Sequence, residues 1–381
     1  MDNNIEITED DICLSTIKYL EERKERIDNG LINTVPSPFL RFSNDFIGFE
    51  PSTYYVVTSY TKGGKSQFVS FLLFESLLYC YYNEKNTQVS LKVLYFPLEE
   101  TPTRITIRMY SWLLNRLFGI RVSPSVLRSV SKEHPLTEEV LEKLKDPVFQ
   151  DIAHYIMDHI VFSAERNPTG IWKFCKKYAE SHGKTLMKKS GFKVDGVEKE
   201  VKDKYVPDNP NEYVMVLIDT INLIDSEKDA SRLMMTKKQA IDKMSEYLAM
   251  DLRNFYGYSP IVIQQQNVEN ESIDSVKMGR TRPSIAGLGD SKYTGRDCNI
   301  ALGIFSPFKF GLDTYLPDST GIQYDIRKLR DNFRTLEVLI NRDGGTGGII
   351  GLYFDGATTT WKELPLPSDR EKINAVYKSL M

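Results

Sequence analysis

The chain has 381 residues, of which 41% are hydrophobic and 27% are charged, a composition that suits one large or two ordinary globular domains with a sizeable core. Its formal net charge of −3 argues against a globally basic nucleic-acid-binding protein, so any nucleic-acid surface would have to be local. The sequence contains no apolar run of membrane-spanning length and no secretory signal, and its four cysteines lack metal or redox spacing. We therefore expect a cytoplasmic protein with reduced thiols and no membrane contact.

Residues 1–50 are predicted to contain one helix followed by an irregular connection. Apolar side chains at Ile12, Leu20 and Ile27 recur with helical spacing, and Gly30 ends the pattern. Such a stripe fits either a helix packed on its own domain or a linker helix that docks on a neighbouring subunit. Both interpretations stay open at the level of sequence.

The strongest motif lies at residues 58–67, Thr-Ser-Tyr-Thr-Lys-Gly-Gly-Lys-Ser-Gln, between a β-branched run and an apolar run. A strand, a tight loop and a helix in this order form a phosphate-binding loop. In such a loop, backbone N–H groups surround phosphate oxygens, Lys65 reaches the β and γ phosphates, and the Ser66 hydroxyl binds Mg²⁺. Ser59 stands where the usual pattern begins with glycine. The predicted nucleotide-binding residues are Ser59, Tyr60, Thr61, Lys62, Gly63, Gly64, Lys65, Ser66 and Gln67.

Two further predicted strands end in acidic residues. The strand at residues 89–96 is followed by Glu99 and Glu100, and Glu99 could there polarise the water that attacks a γ-phosphate. The alternative is that both acids simply open the next helix. The apolar strand at residues 213–219 ends in Asp219, a position from which a carboxylate reaches Mg²⁺ through water. A capping aspartate is the alternative there.

Residues 260–267 are predicted to form a strand that ends in amides, and the amide of Gln265 is suited to sensing the γ-phosphate without adding charge. The following stretch, residues 268–297, mixes cationic side chains with glycines. That mixture suits the backbone of single-stranded DNA, and Tyr293 could stack on a base, although a solvated loop is the alternative. The predicted nucleic-acid contacts are Lys277, Arg280, Arg282, Lys292 and Arg296.

Residues 166–205 form a basic segment, with eleven Lys and Arg against five Asp and Glu, a net charge of +6. Its low apolar content and its glycines predict a mobile insertion, most simply a solvated loop, with phosphate-backbone contact as the second possibility. The chain closes with a β-hairpin over residues 334–354, indicated by its Asp-Gly turn, and with a C-terminal tail at residues 366–381.

In this order the motifs resemble the RecA-like motor domain of the DnaB-type replicative hexameric helicases, from about Ile12 to Leu364. The family's Ser-Leu-Glu-Met-like motif is similar to residues 97–100, its Asp-ending strand to residues 218–224, and its Ser-Gln-Leu-Asn motif to residues 264–267. Its closing Lys-Gln-Arg-Asn-Gly-Pro-Thr-Gly motif is similar to residues 340–347, which places Arg342 on the family's arginine finger.

The resemblance implies an α/β fold, with a RecA-like P-loop core whose mostly parallel sheet is flanked by helices. It divides the chain into a linker helix and connection (residues 1–50), a motor domain (residues 51–365) and the tail. It also implies ATP and Mg²⁺ as cofactors, single-stranded DNA as partner, and a ring of six subunits, with primase or a helicase loader as further partners. The implied catalytic residues are Glu99 as general base, Lys65, the sensor Gln265, and Arg342 acting on the neighbouring subunit's nucleotide.

Two departures from the family pattern, besides Ser59, bear on this interpretation. Ile340 stands where the family often has a lysine aimed at the γ-phosphate, so the contact with the neighbour would rest on Arg342. The family's N-terminal helical domain has no counterpart in the roughly fifty residues before the phosphate loop. This short, divergent form looks phage-like, which would place the protein in a host cytoplasm.

Three other functions share parts of this motif set. A RecA-like recombination ATPase that coats single strands as a filament has the same loop, acid and glutamine sensor. A nucleotide-regulated assembly or clock-type ATPase that binds protein instead of DNA is compatible with the modest net charge. A viral DNA-packaging motor fits less well, because no second acidic cluster indicates a nuclease domain.

Overall fold

A computed structural model describes residues 9–194, 197–267 and 281–380. Four sheets are present in this part of the chain, and the largest has nine strands in the order β15-β14-β13-β10-β3-β9-β8-β4-β5. The strands are β1 (Val35–Pro36), β2 (Gly48–Phe49), β3 (Tyr55–Ser59), β4 (Ser90–Pro97), β5 (Ile160–Phe162), β6 (Gly183–Val194), β7 (Val197–Pro207), β8 (Glu212–Asp219), β9 (Ser259–Gln265), β10 (Ile300–Phe305), β11 (Thr314–Pro317), β12 (Gln323–Asp325), β13 (Phe333–Asn341), β14 (Ile349–Asp355) and β15 (Thr360–Glu363).

The helices flank this sheet on both faces. A π-helix at Tyr247–Arg253 continues the eighth helix, and short 3₁₀ turns lie at Ile221–Leu223, Pro307–Phe310 and Arg330–Asn332. None of the helices in the described ranges combines the length and apolarity that crossing a bilayer requires. The α-helices are α1 (Glu9–Asp28), α2 (Lys65–Thr87), α3 (Pro102–Phe118), α4 (Pro124–Leu127), α5 (Glu138–Leu144), α6 (Pro147–Asp158), α7 (Pro168–Ser181), α8 (Lys237–Glu246), α9 (Tyr293–Asp297), α10 (Ile326–Leu329) and α11 (Arg370–Ser379).

The central strands β3, β4, β8, β9 and β10 run parallel to one another and are covered on both faces. All five residues of β3 are buried, which explains why these strands are continuous apolar runs in the sequence. Helices α2, α3 and α6 pack on one face, and α7, α8 and the π-helix pack on the other. Strands β13, β14 and β15 extend the sheet antiparallel, so the predicted α/β core and the C-terminal hairpin are confirmed.

Because parallel strands point the same way, the residues that follow β3, β4, β8 and β9 meet at one edge of the sheet. We call this the nucleotide edge. Strand β13 runs antiparallel to β10, with Asn341 paired to Ile300, and Ile300 is in turn paired to Tyr55 at the start of β3. The chain therefore leaves β13 at the opposite edge of the sheet.

The basic segment at residues 166–205 differs from the prediction of a solvated loop. It contains α7 and an antiparallel ribbon formed by β6 and β7, which pair outside the main sheet. At the base of the ribbon the ring of Tyr205 packs 5.2 Å from that of Tyr256, and Lys202 Nζ lies 5.0 Å from the centroid of the Phe255 ring. Strand pairing and these aromatic contacts provide the order that composition alone did not indicate.

Helix α1 confirms the predicted N-terminal helix and excludes packing of its apolar stripe on its own domain. Leu14, Ile17 and Leu20 are 67%, 52% and 57% exposed. The helix is attached at its C-terminal end, where Arg26 donates to the Asn211 side chain at 2.6 Å. Residues 366–380, predicted only as a tail, include α11, whose apolar side packs on the domain.

Candidate nucleotide site

The phosphate-binding loop lies between β3 and α2 at the nucleotide edge. Gly64, the residue before α2, has φ of +97°, a left-handed conformation that favours glycine. Gly63 is constrained differently, because a Cβ there would lie 1.9 Å from Ser59 Oγ. The serine that replaces the usual first glycine therefore fills the space that a side chain at residue 63 would need.

The amino end of α2 and the Lys65 ammonium supply positive charge to this loop. Lys65 Nζ donates to the carbonyl oxygens of Ser59 and Tyr60, each at 3.2 Å, so the side chain folds back over the loop. The first N–H groups of α2 lack helical partners and face the same space. Such an arrangement binds an anion of phosphate type.

Ser66 and Asp219 are 153 residues apart in sequence but in direct contact. The Ser66 hydroxyl donates to Asp219 Oδ1 at 2.8 Å, and the Tyr95 hydroxyl donates to Oδ2 at 3.2 Å. Burial raises the pKa of Asp219 to about 6, although the hydrogen bond from Ser66 and the charge of Arg108 act in the other direction. A hydroxyl and a carboxylate are oxygen ligands that fit Mg²⁺ shared with phosphates, so these residues fit the predicted ion.

The structure distinguishes the two acids that follow β4. The carboxylate of Glu100 is ion-paired with Arg108, which is itself buried and donates to Ser70 at 3.2 Å. The side chain of Glu99 is exposed and lines the cleft beside Lys65 and Ser66. Of the two, Glu99 is the carboxylate placed to contact a water near the phosphates, whereas Glu100 holds Arg108.

Gln265, at the end of β9, completes this edge. Its Nε2 donates to the Thr61 hydroxyl in the phosphate-binding loop, so the predicted sensor is in contact with that loop. The two flanking glutamines are buried: Gln264 is 0% and Gln266 is 2% exposed. Gln266 Nε2 donates to the Thr58 hydroxyl at 2.9 Å and to the Ser284 carbonyl at 2.9 Å.

These residues enclose an open cleft of about 630 Å³. Ser59, Tyr60 and Gly63 do not line it, because the first two are buried beneath the loop and contribute only carbonyl contacts to Lys65. The predicted nucleotide-binding residues that do line it are Thr61, Lys62, Gly64, Lys65, Ser66 and Gln67.

Arg334 is a residue of this site that sequence reasoning missed. It is 1% exposed, donates from Nε to the Gly63 carbonyl at 3.1 Å, and lies 4.9 Å from the centroid of the Phe354 ring. Burial lowers the pKa of its guanidinium, which the nearby Asp331 carboxylate opposes. An arginine within the otherwise apolar β13 run was the one signal that could have indicated it.

Arg342 lies away from this cleft. It follows β13 at the edge opposite the phosphate-binding loop, where its Nε donates to the Cys298 carbonyl at 2.8 Å. The four residue steps of β3 between Tyr55 and Ser59 correspond to roughly 13 Å at 3.3 Å per residue. The guanidinium of Arg342 is therefore directed away from the nucleotide edge of its own chain.

The predicted nucleic-acid residues are not brought into one cluster. Lys277 and Arg280 lie outside the described residues. Arg282 is ion-paired with Glu337 at 2.6 Å. Lys292 and Arg296 are exposed at α9, and the Arg296 guanidinium lies 4.1 Å from the centroid of the Tyr293 ring.

Comparison with solved structures places this geometry in a known fold. No protein-family model matches the chain, and no curated protein matches it. The chain is similar to a solved helicase ATPase domain, with a TM-score of 0.60 and 15% identity over 96% of this chain and 100% of that one. It is also similar to a DnaB-like replicative helicase described with its primase interactions, with a TM-score of 0.62 and 15% identity over 95% of this chain and 69% of that one.

The fold and the site therefore define a RecA-like P-loop core. More particularly, the chain has the fold of the motor domain of a DnaB-type helicase, as the resemblance of its motifs implied.

Proposed function

We propose that the protein is an ATP-dependent DNA helicase of the DnaB class, a ring of subunits that moves along single-stranded DNA by hydrolysing ATP between neighbouring subunits. The observation that carries the proposal is the assembly of Lys65, Ser66, Asp219, Glu99 and Gln265 at one edge of the sheet. The similarity in fold to helicase ATPase domains supports it.

Each side chain at the nucleotide edge has a separate role in this mechanism. Lys65 exchanges its two carbonyl contacts for oxygens of the β and γ phosphates, and the N–H groups of α2 hold the remaining oxygens. Ser66 and, through water, Asp219 hold Mg²⁺, which neutralises phosphate charge when bound. Glu99 orients the attacking water and accepts its proton. Gln265, already in contact with Thr61, detects whether a γ-phosphate is present.

The arginine finger must come from a neighbouring chain in this proposal. Arg342 leaves the sheet at the edge opposite its own phosphate-binding loop, so it cannot reach its own nucleotide without rearrangement of β13. Helix α1 supports assembly independently, because its exposed Leu14, Ile17 and Leu20 form an apolar face suited to a neighbouring subunit.

A subunit-mixing experiment tests this arrangement. Glu99→Gln removes the general base and keeps the finger, whereas Arg342→Ala removes the finger and keeps the base. Each variant alone should bind ATP and lose turnover, since an arginine finger contributes about 10³ to 10⁵ in rate. A 1:1 mixture should recover up to about one quarter of wild-type turnover, because one interface in four pairs an intact base with an intact finger in a head-to-tail ring.

Failure of the mixture to recover activity, in particles shown to contain both variants, would exclude the trans finger. Normal turnover by Arg342→Ala alone would exclude it more directly. Closed rings in electron micrographs would separate the proposal from a recombination filament. Binding of single-stranded DNA that weakens with salt would separate it from a protein-binding assembly ATPase. A primase is the first partner to test by co-sedimentation.

A further inference from the structure

The short helix α9 is linked to the nucleotide edge by a buried side chain. Gln264, immediately before the proposed sensor, donates from Nε2 to the carbonyl oxygens of Gly289 and Ser291, each at 2.7 Å. Its Oε1 accepts from the Thr294 hydroxyl on α9. Gln264 and Thr294 are both 0% exposed, so these bonds cannot be exchanged for water without moving the helix.

The same segment contacts Gln265 itself. The Gly289 N–H donates to the Gln265 carbonyl at 2.9 Å, and the Gln265 N–H donates to Asn222 Oδ1 at 2.8 Å. Asn222 Nδ2 in turn donates to the Asp290 carboxylate at 2.7 Å. The sensor and the residues leading into α9 are therefore held by one set of hydrogen bonds.

The exposed side of α9 presents groups suited to a single nucleic-acid strand. Lys292 and Arg296 are exposed there, and Tyr293 is 38% exposed. Arg296 and Lys238 lie 4.1 Å and 5.0 Å from the centroid of the Tyr293 ring. Cations around an accessible aromatic ring can contact phosphate and base together.

The carboxyl end of α9 holds the proposed finger. Arg342 donates from Nη2 to the Arg296 carbonyl and from Nε to the Cys298 carbonyl at 2.8 Å. Its backbone N–H donates to the Asn299 carbonyl at 3.1 Å. A displacement of α9 would therefore change the support of Arg342 as well as that of Gln265.

We propose that α9 couples nucleic-acid contact to both nucleotide sites of a subunit, with Gln264 and Thr294 as positioning residues. Engagement of Lys292 and Arg296 by a strand shifts α9. The shift is passed through Thr294 and Gln264 to the sensor in its own cleft, and through the carboxyl-end carbonyls to Arg342, which serves the next cleft. This inference rests on the proposed function and identifies how its two halves communicate.

The test compares Thr294→Val, which removes the hydroxyl at nearly constant volume, with Thr294→Ser, which keeps it. Turnover is measured with and without oligothymidine, and oligothymidine affinity is measured with and without a non-hydrolysable ATP analogue. Thr294→Ser should match wild type. Thr294→Val should keep ATP affinity and DNA-free turnover within about twofold, because Thr294 contacts neither ATP nor the strand. Stimulation by DNA should fall at least fivefold, and the analogue should no longer change DNA affinity.

A folded Thr294→Val protein that keeps wild-type stimulation and analogue dependence would overturn the inference. If Thr294→Val does not fold, Gln264→Met supplies the same test, because it keeps the length of the side chain and removes all three of its hydrogen bonds. The two proposals fail differently. Wild-type protein that neither hydrolyses ATP nor binds oligothymidine would refute the proposed function, whereas coupled variants of an active wild type refute only the role of α9.

Discussion

Replacing Asp219 with asparagine should stabilise the ligand-free protein while abolishing Mg²⁺-dependent nucleotide binding. The Asp219 side chain is 2% exposed, and burial raises its pKa from 3.8 to about 6. At 1.36 kcal/mol per pKa unit, the folded protein bears a cost of about 3 kcal/mol for the ionised carboxylate at neutral pH. An asparagine can still accept from Ser66 and face Tyr95, so we expect a gain of about 1 to 3 kcal/mol in the free energy of unfolding.

The measurement is urea unfolding of both proteins at pH 7.5 and pH 5, with the exposed Asp208→Asn as a matched control. Because the pKa in the folded state is raised, the cost is fully present well above pH 6 and disappears as the pH falls from 6 toward 4. The stability difference should therefore shrink at pH 5. A variant that is less stable than wild type at pH 7.5 would refute the buried-charge argument. A variant still stabilised by ATP and Mg²⁺ as strongly as wild type would refute the metal role.

Three further predictions concern the loop, the buried arginine and the first helix. Gly63→Ala alone should abolish ATP binding because its Cβ would lie 1.9 Å from Ser59 Oγ, and adding Ser59→Gly should restore most of it, as measured by fluorescent-nucleotide titration; equal losses with and without Ser59→Gly would contradict the steric argument. Arg334→Lys should lower the free energy of unfolding by about 2 to 3 kcal/mol, since a lysine cannot replace a planar group that makes four hydrogen bonds; an unchanged urea midpoint would contradict this. Leu20→Asp should dissociate the oligomer in sedimentation experiments whereas Ser15→Asp, on the opposite face of α1, should not, and an intact Leu20→Asp assembly would show that this face is not an interface.

Much of the site follows from local sequence because its residues sit at the ends of buried strands. A strand covered on both faces must be apolar along its length, so the polar residue that ends it is conspicuous. Asp219 and Gln265 were predictable in this way, and the glycine and lysine pattern indicated the loop. The contact between Ser66 and Asp219 then required only that parallel strands end at one edge.

The parts that sequence could not show depend on distant side chains. Whether Glu99 or Glu100 remains available is decided by Arg108, which captures Glu100. The role of Arg334 arises because β13 passes beneath the phosphate-binding loop from a position 271 residues further along the chain. The basic ribbon was also missed, because pairing of β6 with β7 depends on register and not on composition.

The exposed face of α1 and the placement of Arg342 are independent indications of the same incompleteness. Covering Leu14, Ile17 and Leu20 would contribute about 1.5 to 3 kcal/mol per side chain, a substantial part of the cost of association. Arg342 can complete a catalytic site only on a chain other than its own, because the antiparallel direction of β13 carries it to the opposite edge. Assembly through α1 would thus be what brings the finger to the nucleotide, and the free energy of one apolar helix face would set how many of the sites are competent for hydrolysis.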